Sequence, residues 1–132
     1  METFIVVSKL KKFVKDAAGM NTSANFIEPI NKDLLESIDL AIEHAQRSGR
    51  KTVMGKDFNL YVEDPKVDEV LVVASKVKKY IKDKAGFSTS SQVFEQLTNR
   101  LQTVCHNAIQ NAQNDKRKTV MDRDFSAPTT SI

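Results

Sequence analysis

The chain of 132 residues has few of the residues that mark several protein classes, with one cysteine, two histidines and no tryptophan. A single cysteine excludes an intramolecular disulfide, and Cys105, His44 and His106 lack the spacing of a zinc site, so no metal is predicted. No apolar run approaches the ~20 residues that a membrane span needs, and the first residues lack the basic segment and the cleavage site of a secretory signal. These absences predict a cytoplasmic protein without membrane association.

Catalytic patterns are missing as well. No glycine-rich phosphate loop, carboxylate pair, serine–histidine or cysteine–histidine arrangement recurs or converges along the chain. Cys105 falls on an apolar helix stripe, which predicts a buried side chain and not a nucleophile. His44 and His106 are expected to be surface residues, with no partner that recurs in both copies. We therefore expect no enzyme, no cofactor and no small-molecule substrate.

The overall composition is that of an ordinary globular domain, with 40% apolar and 28% charged residues. The net charge of +3 comes from 20 basic and 17 acidic residues, and this excess is too small to identify a polyanionic partner by itself. The positions of the basic residues are therefore more informative than their number.

A repeat is the dominant feature of the sequence. RKTVM occurs at residues 50–54 and 117–121, and each copy is followed by one residue, a basic residue, Asp and Phe. A shift of 67 positions aligns residues 8–58 with 75–125 without a gap, and 23 of the 51 aligned pairs are identical. Two copies are too few for a solenoid, so we predict one domain over residues 1–132, made of two repeats, 1–64 and 65–132, that form a pseudo-twofold pair.

Each repeat begins with an amphipathic pattern that predicts a helix, over residues 3–18 in the first copy and 65–85 in the second. Asp64 followed by Pro65 has the pattern of a helix start, with an N-cap residue and proline at the first helical position. Gly19 and Gly86 follow the two helices, as a left-handed C-terminal cap requires.

A longer helix follows in each copy, predicted over residues 24–48 and 91–115, and a short helix is expected to begin near Gly55 and near Asp122. The long helices have apolar stripes at i, i+4 spacing, formed by Phe26, Ile30, Leu34, Ile38, Ile42 and Ala45, and by Val93, Leu97, Leu101, Cys105, Ile109 and Ala112. A half of about 60 residues cannot bury much surface alone, so the two halves are expected to share one core. The predicted fold class is all-α.

This order of helix, loop, long helix, RKTV loop and short helix, with Asp seven residues after the Arg, resembles the histone fold. The second loop and third helix of archaeal histones are similar to GRKTVMGKDF, and the resemblance covers nearly the whole chain, once in each half. The chain thus looks like a histone doublet, with two tandem histone folds forming an intramolecular handshake pseudodimer. In the second copy Pro128 closely follows Phe125, which predicts a truncated third helix.

The resemblance implies roles for particular residues. It pairs Arg50 with Asp57 and Arg117 with Asp124, as braces of the second loop in each half. It assigns contacts with DNA phosphates to Lys51, Thr52, Lys118 and Thr119. It also assigns DNA contacts on the first helices to Lys12 and Lys79, where lysine replaces the usual arginine, so phosphate contact is expected more than minor-groove insertion.

Two antiparallel units would place the first loop of one beside the second loop of the other, with hydroxyls, helix-start N–H groups and cations together. Such a cluster binds phosphates and does not read bases, so the repeat predicts sequence-nonspecific binding of double-stranded DNA that weakens steeply as salt rises. The expected consequences are bending, coating or compaction of DNA in the nucleoid. The predicted DNA-binding residues are Lys9, Lys12, Lys15, Thr22, Ser23, Arg50, Lys51, Thr52, Lys76, Lys79, Lys82, Thr89, Ser90, Arg117, Lys118 and Thr119.

A second hypothesis is a histone-fold scaffold that binds protein, with little or no DNA binding. The small net charge, the missing arginines and the acidic series Asp33, Glu36, Asp39 and Glu43 favour it. Self-association into higher oligomers is also open. The histidine through which archaeal histones stack their dimers, near the end of the long helix, is replaced here by Arg47 and Asn114, so the resemblance does not extend to that mode of polymerisation.

Overall fold

The computed structural model describes residues 3–128, which form four α-helices and two small parallel sheets around one apolar core. The elements in chain order are α1 (Val7–Ala18), β1 (Asn21–Thr22), α2 (Ile27–Arg47), β2 (Thr52–Val53), α3 (Ala74–Ala85), β3 (Ser88–Thr89), α4 (Gln92–Asn114) and β4 (Thr119–Val120). The outer bounds of the predicted repeats, at residues 1 and 132, lie outside the described residues.

The two long helices, α2 and α4, form the centre of the core. Both predicted stripes are confirmed, because every residue of each stripe is buried. Each large aliphatic side chain that is removed from water in this way contributes about 1.5–3 kcal/mol to folding. Pro29 lies in the first turn of α2, where its missing N–H has no partner to lose.

The predicted starts of the first helices are wrong. α1 begins at Val7 and α3 at Ala74, because the residues before them pair as extended chain, with an antiparallel bridge between Ile5 and Val72. The Val6 N–H donates to the Leu71 carbonyl at 2.8 Å on one side of this bridge. The β-branched residues before each helix favour extended backbone, and burial of Ile5 and Val72 stabilises the pairing.

Asp64 and Pro65 therefore lie in the segment between the halves and do not begin a helix. Asp64 adopts a left-handed conformation with φ of 59°, which is incompatible with an N-cap. The predicted helix ends are confirmed: Gly19 (φ 66°) and Gly86 (φ 72°) are left-handed, and their N–H groups donate to carbonyls four residues earlier.

Short helices begin at Gly55 and Asp122, as predicted, but each is only a single 3-10 turn, Gly55–Asp57 and Asp122–Asp124. After each turn the backbone becomes extended, with ψ of 139° at Phe58 and 134° at Phe125. The truncation that Pro128 predicted for the second copy is therefore present in the first copy as well.

The two small sheets connect the halves. β1 pairs with β4, and β2 pairs with β3, so each sheet joins a loop that follows a first helix to a loop that follows a long helix in the other half. Within residues 3–128, no helix is both long enough and apolar enough to cross a bilayer.

Candidate nucleic-acid interface

The first of two loop clusters, here called the first corner, comprises residues 21–23 and 117–120. The Asn21 N–H donates to the Lys118 carbonyl at 3.0 Å, and the Ser23 N–H donates to the Val120 carbonyl at 2.8 Å. These bonds hold the end of α1 and the start of α2 against the RKT loop that follows α4. The sequence-predicted loop residues are thus brought together from positions almost 100 residues apart in the chain.

The second corner comprises residues 88–90 and 50–53. The Ser88 N–H donates to the Lys51 carbonyl at 3.0 Å, and the Ser90 N–H donates to the Val53 carbonyl at 2.9 Å. All four residues stand 67 positions from their counterparts in the first corner. The same hydrogen-bond pattern is therefore present twice.

Arg50 braces the second corner from inside. Its Nη1 donates to the Thr52 carbonyl at 3.0 Å and to Asp57 Oδ2 at 2.9 Å, and the same Oδ2 accepts the Met54 N–H at 2.7 Å. Burial of Asp57 disfavours its charged form, but the hydrogen bonds from Arg50, Met54 and His44 outweigh this cost and lower the pKa of Asp57 to about 2. The loop is held by a charge that is stable at neutral pH.

Arg117 has the corresponding place in the first corner. Its Nη1 donates to the Thr119 carbonyl at 3.1 Å and to Asp124 Oδ2 at 2.8 Å, and its Nη2 donates to Asp115 at 2.9 Å. The hydrogen bonds to Asp124 and Asp115 raise the pKa of Arg117, and the guanidinium lowers the pKa of Asp124. Both pairs implied by the histone resemblance are thus in contact in this structure.

His44 is a surface residue, as predicted, but it has a partner that the sequence analysis did not identify. Its Nδ1 lies 2.8 Å from Asp57 Oδ1. The equivalent position of the second copy is Asn111, whose Nδ2 donates to the Asp124 carbonyl at 2.9 Å. Sequence reasoning missed both contacts because the residue types differ, although i and i+13 spacing in both halves was an available signal.

The two braces change what the arginines can do. The side chains of Arg50 and Arg117 are only 22% and 17% exposed, and their Nη atoms bind carboxylates and carbonyls of their own loop. Lys51 and Lys118 are exposed and form no ion pair with any described residue. The accessible positive charge of each corner is thus the lysine, and the arginine supports the loop that presents it.

The four threonines predicted to contact phosphates have two different environments in the structure. Thr22 Oγ1 and Thr89 Oγ1 are buried without a hydrogen-bond partner, so in this conformation they cannot reach a ligand from solvent. The phosphate contacts of both threonines therefore stay a prediction, and they would require the side chains to turn outward. The hydroxyls of Thr52 and Thr119, on half-buried residues beside the lysines, form no hydrogen bond within residues 3–128 and remain candidates.

The predicted serines have a structural partner. Ser23 Oγ accepts the Asn25 N–H at 3.4 Å, and Ser90 Oγ accepts the Gln92 N–H at 3.3 Å. Both hydroxyls thus lie at the start of the helical segment that follows, where they satisfy backbone donors. A phosphate at either serine would compete with this cap.

On the first helices, two of the predicted lysines form i, i+4 ion pairs. Lys12 Nζ lies 2.8 Å from Asp16, and Lys79 Nζ lies 2.6 Å from Asp83. The four side chains are 63–76% exposed. An exposed pair of this kind contributes little, so it presents no strong barrier to exchange of the aspartate for a phosphate.

The other helix lysines differ in environment. Lys9 Nζ lies 3.6 Å from Glu69, and Lys76 Nζ donates to the Thr3 carbonyl at 3.3 Å. Lys15 and Lys82, in the last turns of α1 and α3, are exposed and form no ion pair within the described part of the chain. Because α1 and α3 lead directly into β1 and β3, these two are the nearest to the corners among the predicted helix lysines.

A groove at the first corner adds one cation that the sequence analysis did not select. It is lined by Ala18, Gly19, Met20, Gln113, Lys116, Arg117 and Lys118. Lys116 is exposed and occupies the position that Gly49 has in the first copy. A larger cavity of about 680 Å³ lies away from both corners, and its cationic lining residue, Arg100, is already paired with Asp33.

No protein-family model matches the chain, and no curated protein matches it. Among solved structures, the histone from Methanopyrus kandleri is similar, with a TM-score of 0.62 and 17% sequence identity, over 91% of this chain and 89% of that chain. At this identity the likeness concerns the fold, and it agrees with the helix order and the paired loops described above. The chain has a histone fold.

Proposed function

We propose that this chain is a sequence-nonspecific DNA-binding protein made of two fused histone folds, residues 1–64 and 65–132, which pair within one molecule. The observation that supports it best is the repetition of one corner: a second loop hydrogen-bonded to a first loop of the other half, with an exposed lysine in the second loop. Two equivalent corners suit a ligand that presents the same group at regular intervals, as a duplex presents phosphates.

The chemistry of the corners favours phosphates over bases. Lys51 and Lys118 provide charge, and Thr52 and Thr119 provide hydroxyl donors. These groups bind phosphate oxygens in any sequence. The guanidinium forks of Arg50 and Arg117 are occupied within their own loops, so neither arginine is available to read base edges. The lysines of α1 and α3 extend the cationic surface beyond each corner.

A mobility-shift experiment tests this proposal. Random-sequence duplexes of several lengths are titrated at ~50 mM and ~150 mM salt, together with light scattering of the free protein. We expect all sequences to shift at the lower salt with similar affinity, and weaker binding at the higher salt. Absence of a shift at both salts would contradict the proposal.

A protein-binding scaffold is the second candidate, and one observation favours it. The exposed face of α4 has few charges and many amides, including Asn107 and Gln110, and Leu40 on α2 is 51% exposed. Surfaces poor in charge are typical of the core of a protein interface. Binding of DNA with unchanged affinity after Asn107→Lys and Gln110→Lys would assign this face a role separate from DNA.

A further inference from the structure

One ion pair connects the two long helices inside the molecule. Arg100 Nε on α4 lies 2.7 Å from Asp33 Oδ2 on α2, and Arg100 Nη2 lies 3.0 Å from Asp33 Oδ1. The side chains are only 13% and 8% exposed. A bidentate, largely desolvated pair of this kind is sensitive to the charge of both partners.

The two residues occupy the same position of the repeat, because the shift of 67 residues that aligns the two copies places Asp33 opposite Arg100. When a position contacts its own repeat counterpart, it lies where a twofold axis between the halves would pass. In a pair of identical halves each residue at that position would face a copy of itself. The first half would then place aspartate against aspartate, and the second half would place arginine against arginine.

We propose that Asp33 and Arg100 make the pairing of the halves heterotypic, so that the α2 surface fits α4 and does not fit a second α2. Two like charges that share a desolvated site repel each other and lose their hydrogen bonds. The pair thus directs each half to the other half of this fold and disfavours association of two chains through like halves. This inference does not depend on DNA binding.

A second contact independently favours heterotypic pairing. Asp39 on α2 accepts hydrogen bonds from the Tyr80 hydroxyl at 2.6 Å and from Lys84 Nζ at 2.7 Å. The mirrored contact joins their repeat counterparts, and there the His106 ring packs edge-on against Phe13, with 5.4 Å between centroids. In a pair of two first halves, Asp39 of one half would face Phe13 of the other, which has no hydroxyl to donate.

Charge reversal in the full chain tests the proposal. Asp33→Arg imitates the arginine pair of two second halves, Arg100→Asp imitates the aspartate pair of two first halves, and the double variant restores opposite charges. We expect each single variant to lower the folding equilibrium constant by about 100-fold or more at pH 7, measured by urea unfolding. The double variant is expected to recover at least ~10-fold of that loss.

The exposed pair Lys12–Asp16 provides the matched control, since Lys12→Asp also creates a like-charge pair but in water. We expect it to change the equilibrium constant by no more than about 5-fold. A double variant that is as unstable as the single variants, or single variants that unfold like the control, would overturn the proposal.

A pH series distinguishes charge repulsion from simple loss of packing. In Arg100→Asp the facing carboxyls share one proton, so the folded pKa of one is raised above its unfolded value. The folded state then binds more protons, and the folding equilibrium constant of this variant should rise relative to wild type as the pH falls from 7 to 5. Asp33→Arg, with no acid to protonate there, should show no such rise.

Identical pH profiles for the two single variants would contradict a like-charge pair. If a single variant is unfolded at pH 7, folding of the double variant and recovery of Arg100→Asp at pH 5 remain measurable outcomes.

Discussion

Ser88 donates its backbone N–H to the Lys51 carbonyl oxygen at 3.0 Å, so the peptide group of that lysine is fixed by a loop of the other half. Asn21 makes the same bond to Lys118 at the same distance. Both lysine side chains remain exposed. This arrangement lowers the entropy cost of binding an anion, because the backbone that carries each lysine is already ordered before the ligand binds.

Removal of Arg50 should destabilise the fold. Its partner Asp57 has no exposed side-chain surface, so Arg50→Ala leaves a buried carboxylate without its ion-pair partner. We expect a loss of about 3 kcal/mol in the free energy of unfolding, measured with urea at pH 7. Arg47→Ala, which removes an exposed arginine of the same helix end, should stay within about 0.5 kcal/mol of wild type. Equal stability of the two variants would contradict the brace.

The same carboxylate predicts a loss of stability in acid. The pKa of Asp57 is about 2 in the folded chain and about 3.9 in an unfolded one, so the folded state favours the charged form. The resulting stabilisation, about 2 kcal/mol, is complete above pH ~4 and is lost as the pH falls towards 2. Unfolding free energies between pH 5 and 2 should therefore decrease less steeply for Asp57→Asn than for wild type. Parallel curves would show that another group is responsible.

The parts of the fold that sequence reasoning predicted well are those with a regular local signal. The stripe from Ile30 to Ile42 has sustained i, i+4 spacing, and both α1 and α3 end at a glycine. The starts of α1 and α3 could not be predicted, because the bridge of Ile5 with Val72 forms between residues 67 positions apart and overrides the local pattern at Asp64 and Pro65.

The candidate site shows the same division. Arg50 and Asp57 stand out because the repeat contains them twice, and the structure places them in contact. The inward direction of the Thr22 hydroxyl depends on packing that no residue pattern expresses. The contact of His44 with Asp57 was hidden because the second copy has a different residue at that position.

A strained residue offers a stabilising substitution. Lys116 has φ of 59°, a left-handed conformation that side chains disfavour, and its repeat counterpart Gly49 has φ of 75°. Lys116→Gly should raise the melting temperature through a gain of about 0.5–1 kcal/mol, because the relief of strain exceeds the entropy that glycine adds to the unfolded chain. A Cβ at Gly49 would meet nothing within 4 Å, so the loss of about 1 kcal/mol expected for Gly49→Ala would reflect backbone strain alone. The explanation by backbone strain requires that Lys116→Gly raise the free energy of unfolding and that Gly49→Ala lower it.

Cys105 should resist alkylation while the chain is folded. Its side chain is buried, and burial raises the pKa of the thiol to about 12. Thiolate is the reactive form, so iodoacetamide at pH 8 should modify the native chain at least ~100-fold more slowly than the chain in guanidinium, as measured by mass spectrometry. Comparable rates in the two solvents would mean that α4 is not packed as described.

The corner lysines are tested most directly by the salt dependence of DNA binding. Fluorescence anisotropy with a labelled random duplex is measured from ~50 to ~200 mM salt for wild type, for Lys51→Ala/Lys118→Ala, and for Lys32→Ala/Lys66→Ala, which removes the same charge from exposed positions outside both corners. The corner variant should bind all sequences more weakly, with a slope of log affinity against log salt reduced by about 2, whereas the control keeps the wild-type slope. Equal slopes for the three proteins, or equal losses in both variants, would contradict phosphate binding at the corners.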